Sequence, residues 1–153
     1  PNAKFIHIVR DPYKVFLSNR NSRTAMHSVS SLQDHLPVPE QRDASMIKRS
    51  VAFHKQFDKD RQHIPDEQIM TLRYEDLRAD PVAVMRGIYD HLDLGDFAPI
   101  EAELAALVGP ARPYQNNRYE LDDKTRAMVD EQFADFFRRY DYLHMDQRPA
   151  ADP

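Results

Sequence analysis

Residues 5–21 read FIHIVRDPYKVFLSNRN, and the division of this stretch decides the fold. Phe5 to Val9 is apolar apart from His7, carries β-branched and aromatic residues, and suits an extended strand. The run breaks at Asp11-Pro12, where an aspartate can cap a helix and a proline fits its first turn. The expected order is therefore a strand over 5–9 and a helix over about 12–26. Arg10 directly follows the strand, and Ser18 lies almost two helical turns in, about 9 Å along the axis at 1.5 Å per residue. In open parallel α/β sheets, ligands collect where strands end and helices begin, because helix amides and the helix dipole favour anions. An arginine there can grip phosphate or sulfate oxygens bidentately, which a lysine does less well. Spacing alone equally admits a structural role, with Arg10 paired to a carboxylate and Ser18 bonded to a carbonyl one turn back.

Further along, residues 27–45 are polar with little periodicity and read as an irregular segment of the length that often shapes a pocket. From about Ala44 to His63, Ile47, Val51, His54 and Phe57 recur at helical spacing, with Lys48, Lys55, Lys59 and Arg61 on the wet side. Pro65 stops that helix. Ile69 to Arg73 forms a second short strand, and Asp80-Pro81 repeats the cap-and-proline signature before a helix through Val84, Met85, Ile88 and Leu92, closed by Gly95. A short helix over about 99–108 and a longer one over about 122–140 complete the chain, separated by the basic, aromatic stretch ARPYQNNRYEL. This order predicts an α/β layered unit with two parallel strands and a helix-rich C-terminal part. Parallel sheets normally have several strands and are covered on both faces, so the pattern reads as the C-terminal portion of one larger domain.

Composition narrows the function classes. The 153 residues are 41% hydrophobic and 30% charged, an ordinary globular balance. With 21 basic against 25 acidic residues, the net charge of -4 gives no bulk attraction to nucleic acid or anionic lipid, so any bound anion needs a local constellation. The absence of cysteine excludes disulfides and thiolate metal sites and is compatible with a reducing cytoplasm, the compartment expected. No apolar run approaches the roughly 20 residues of a membrane span. The seven histidines show no metal-ligand spacing, and Glu75 and Asp76 read as caps rather than acids at work.

IVRDPYKVFLS, with its apolar strand, Arg-Asp-Pro and a serine eight residues after the arginine, resembles the 3'-phosphate-binding motif of the PAPS-dependent sulfotransferases. LRYEDLRADP, residues 72–81, is similar to a strand-loop-helix segment of the same superfamily, and NRYEL with the aromatic helix ending in Tyr140-Asp141-Tyr142 looks like the C-terminus of bacterial-type members. The resemblance implies a P-loop-like parallel sheet and transfer of a sulfuryl group from 3'-phosphoadenosine 5'-phosphosulfate (PAPS) to an acceptor hydroxyl or amine, leaving the 3',5'-bisphosphate (PAP). It implies that Arg10 and Ser18 hold the 3'-phosphate, that Tyr74 lies by the adenine, and that Arg118 adds a second charge at the 3'-phosphate. Its mechanism is in-line displacement, in which positioning and charge neutralisation do most of the work.

The departures are equally specific. The family's 5'-phosphosulfate loop and its usual lysine and base segment are expected before the first strand and are not in this sequence, which has three glycines and no GxxxxGK[ST]. The catalytic group is thus unassigned, and the chain is expected to carry the 3'-phosphate side of a site rather than a whole one. Two classes follow: a sulfotransferase acting on an acceptor such as a carbohydrate hydroxyl, or a non-catalytic nucleotide-binding or interaction module with the same fold.

Overall fold

A computed structural model describes residues 2–30, 38–108 and 121–144. The elements are β1 (Phe5–Val9), α1 (Pro12–Ser30), α2 (Pro39–Arg61), a 3-10 turn (Asp66–Gln68), β2 (Ile69–Arg73), α3 (Tyr74–Ala79), α4 (Pro81–Leu92), α5 (Ala98–Val108), α6 (Asp123–Gln132) and α7 (Ala134–Arg139). The chain divides into two compact units, residues 1–10 with 59–118 and residues 11–58 with 119–153. The boundaries fall between Arg10 and Asp11 and inside α2.

The first unit holds the sheet. β1 and β2 pair in parallel, with Phe5 opposite Ile69 and Val9 opposite Arg73, and the ring of His7 meets its register partner Thr71 at 3.3 Å. Leu72, Ile88 and Leu92 are buried together, with Met70, Leu77, Val84 and Met85 packed around them. Residues 84, 85, 88 and 92 recur at the three- and four-residue spacing of one helix face, which is why α4 lies with that face on β2. Its start follows the expected chemistry: the Asp80 carboxylate accepts from the Ala83 N–H at 2.9 Å and Pro81 occupies the first turn. Its end differs from expectation. The left-handed cap falls on Asp93 (φ 50°), not Gly95, and the Leu94 N–H reaches back to the Tyr89 carbonyl at 3.0 Å. A short polar side chain tolerates that conformation, and Gly95 (φ 91°) then continues the turn.

β1 is less covered than a core strand should be. Val9 is buried, but Phe5, Ile6 and Ile8 are 44–50% exposed. With one neighbour on one edge, a two-stranded pair cannot shield both faces of its apolar strand.

The second unit is helical. Tyr13, Phe16 and Leu17 from α1, Met46 and Ile47 from α2, and Val129, Phe133, Phe137 and Tyr142 near the C-terminus are its buried apolar side chains among the described residues. The buried Asp11 carboxylate accepts from the Tyr13 N–H at 3.0 Å and starts α1. Both long helices exceed their expected bounds: α1 continues past Met26, and α2 begins at Pro39 with the Arg42 N–H closing its first turn on Val38. Burial of Asp43, Met46 and Ile47 explains the early start, because tertiary contact outweighs the weak helical signal of a polar sequence. The expected single helix over 122–140 is two helices meeting at Phe133 (φ -106°, ψ 14°). Around that break Phe133 approaches the His54 ring while Phe137 packs on Tyr13.

His54 is surrounded by the rings of Phe53, Phe133 and Phe136. Burial pushes its pKa below the usual 6.5, opposed by Asp58 and aided by Arg139. The folded state therefore resists protonation. The contribution is intact above pH 6.5 and is lost as pH falls from 6.5 through the lowered folded value. Melting temperatures between pH 8 and pH 5.5 should fall more for the native protein than for His54→Leu. Parallel curves would show that His54 has no part in the acid sensitivity.

Candidate functional site

β1 ends at Val9 and β2 at Arg73, and these two residues are register partners. Arg10 and Tyr74 are each one step further, so the parallel register brings them side by side at the carboxyl end of the sheet, where α/β sheets bind ligands. The Arg10 guanidinium lies over the Tyr74 ring, 4.4 Å from its centroid, within cation–π range. The ring fixes the flat face of the guanidinium and leaves its edge of N–H donors to other partners.

Those donors are not spent on carboxylates. Arg10 makes no ion pair among the described residues, and its Nε is buried without a hydrogen-bond partner. A buried donor in that state costs free energy that a bound acceptor recovers. Arg73, the residue before Tyr74, shares a buried Nε of this kind but has a carboxylate beside it, Asp76 at 3.9 Å. Asp76 and Asp80 are used locally, the first as a carbonyl acceptor for the Asp80 N–H and the second as the α4 cap.

Ser18 belongs to the second unit, on α1, and is exposed. Its hydroxyl makes no bond to the preceding turn among the described residues, whereas Thr24 on the same helix donates to the Arg20 carbonyl at 2.9 Å. Arg118 lies outside the described residues. Tyr74 therefore has a contact that the sequence did not announce, as a platform for Arg10.

Sequence reading also passed over a polar cleft in the second unit. Arg20 and Asp43 approach to 3.8 Å beside Arg42, whose Nε is likewise buried without a partner. Burial pushes the Asp43 carboxyl up, with Arg20 and Arg42 pulling it down and Asp122 adding to the rise. The signal available was the i, i+3 spacing of Arg20 and Arg23 on one helix, which marks a shared face only once the neighbouring helix is known.

Residues 1–99 match the profile of the sulfotransferase family. The omega-hydroxy-beta-dihydromenaquinone-9 sulfotransferases Stf3 of Mycobacterium bovis and Mycobacterium tuberculosis are each 35% identical to this chain over 150 residues, which cover 98% of the chain and 38% of the relative. The chain thus spans well under half the length of these curated relatives. No solved structure matches it. No helix among the described residues is long and apolar enough to cross a membrane.

Proposed function

The chain belongs to the sulfotransferase family, and from that premise we propose that it carries the 3'-phosphate side of a PAPS site used for sulfuryl transfer to an acceptor hydroxyl. The observation that carries this reading is Arg10: a guanidinium seated on Tyr74 at the carboxyl end of the parallel strands, with a buried, unpartnered Nε. That state fits an oxyanion and not a finished structural salt bridge. The family motif assigns Ser18 to the same group as a neutral donor, and Arg118 as a second charge. Tyr74 orients Arg10 and offers an aromatic surface to the adenine. The P-loop-like architecture of a complete sheet belongs to the same reading.

In the reaction, the sulfur–oxygen bond to the donor's phosphate breaks as a new one forms to the acceptor oxygen, whose proton departs. Arg10 and Ser18 act by holding the nucleotide, remote from the reacting sulfur, so their binding energy serves positioning. The relatives' names specify a hydroxylated dihydromenaquinone. A hydroxyl, on a lipid or on a glycan, is the acceptor chemistry this reading takes over.

Calorimetric titration with PAP and with 5'-AMP tests the reading. PAP should bind about 100-fold tighter, the worth of a few charge-assisted hydrogen bonds to the 3'-phosphate. Equal affinities would remove the 3'-phosphate site.

A further inference from the structure

The cleft between the C-terminal half of α1 and the N-terminal half of α2 lies wholly within the second unit and has a volume of about 300 Å³. Four arginines line it, Arg20, Arg23, Arg42 and Arg49, against the single carboxylate of Asp43, with Met46 among the lining residues. In a chain of net charge -4 this is a local excess of positive charge. Asp43 approaches Arg20 at 3.8 Å, and Arg23, Arg42 and Arg49 make no ion pair among the described residues. A neighbouring cleft that shares Arg20, Arg42 and Asp43 is balanced differently, since Glu40, Asp122 and Lys124 line it as well. The imbalance is therefore particular to the first cleft.

Arg42, which lines both clefts, has a buried Nε without a hydrogen-bond partner. Like charges gathered in a recess repel one another, and a donor cut off from water without an acceptor is costly. One kind of ligand relieves the repulsion: a tetrahedral oxyanion, whose several oxygens match the forked donors of more than one guanidinium. The volume is at the small end of ligand pockets, enough for such a group and part of the molecule bearing it.

The cleft is separate from Ser18. At about 100° per residue, Arg20, Arg23 and Thr24 stand roughly 120–160° around the α1 axis from Ser18. The geometry points to a second anion site, formed by Arg20, Arg23, Arg42 and Arg49, that takes a phosphate or sulfate ester. It stands without the PAPS reading, because none of its residues is assigned to the nucleotide.

Inorganic pyrophosphate and phenyl phosphate are the probes, titrated by calorimetry into the native protein, Arg23→Ala/Arg49→Ala and Arg10→Ala. Arg23 and Arg49 are exposed, so the double variant should keep its circular-dichroism melt. Both probes should bind the native protein and Arg10→Ala alike, and bind the double variant at least about 10-fold more weakly. PAP affinity should be unchanged in the double variant. Undiminished probe binding by the double variant, or no binding by the native protein at millimolar concentration, would overturn the site. Binding of pyrophosphate with exclusion of phenyl phosphate would overturn the ester as its ligand.

Discussion

Arg10→Ala should weaken PAP binding by roughly 100-fold or more, with 5'-AMP affinity nearly unchanged. The size follows from what the side chain would lose. A bidentate, charge-assisted contact to a phosphate in a partly desolvated site is worth about 2–5 kcal/mol on truncation, and each 1.4 kcal/mol is a factor of ten. Folding should suffer little, because Arg10 supports no ion pair among the described residues and its side chain rests on the Tyr74 ring. Arg10→Lys should fall between, since a lysine keeps the charge but not the fork that matches phosphate oxygens. Tyr74→Leu should cost less than Arg10→Ala, removing the platform and leaving the charge. Calorimetry on the three variants, preceded by a melt of each, checks the series. PAP binding by Arg10→Ala at native affinity would return the arginine to an ordinary surface role.

The second large effect is on stability. Phe137→Ala should destabilise the protein by about 3–5 kcal/mol, the range for emptying a buried aromatic position. Phe137 is 1% exposed, its ring lies 5.1 Å from that of Tyr13 and 4.4 Å from that of His144, and its carbonyl accepts from the Tyr142 N–H. Tyr13 in turn donates to Asp130, which also approaches His144. The cavity would open beside a polar cluster that holds α1 against α6, so relaxation into it is resisted. At about 2–4 °C per kcal/mol for a chain of this size, the melting temperature should drop by roughly 6–20 °C. Phe53→Ala, at a 67% exposed position, is the control and should stay within about 0.5 kcal/mol. A Phe137→Ala melt as mild as the control would mean that the second unit's core does not depend on this ring.

The elements with strong local chemistry are legible in the sequence. FIHIV and IMTLR form the strands at the expected residues, and Asp11-Pro12 and Asp80-Pro81 start helices as aspartate caps and prolines should. The elements that were misread are those whose form depends on distant partners. The polar start of α2 becomes helical because Asp43, Met46 and Ile47 are buried, and the C-terminal helix breaks at Phe133, between a ring that meets His54 and one that meets Tyr13. The left-handed cap moved from Gly95 to Asp93 because the helix ends where its buried face ends, at Leu92.

The sequence by itself determined the family, through IVRDPYKVFLS and LRYEDLRADP, and with it Arg10 and Ser18 as the residues to watch. Motifs of this kind are local: cap, proline, strand end and arginine lie within a dozen positions of each other. Only the tertiary structure decided what Arg10 rests on and that Arg42 and Arg20 line one cleft. Parallel register set Arg10 beside Tyr74, 64 residues later in the numbering, and the cleft between α1 and α2 gathered arginines from residue 20 to residue 49. Side-chain neighbours across such separations are fixed by strand register and helix packing, and neither is written in the spacing of a single segment.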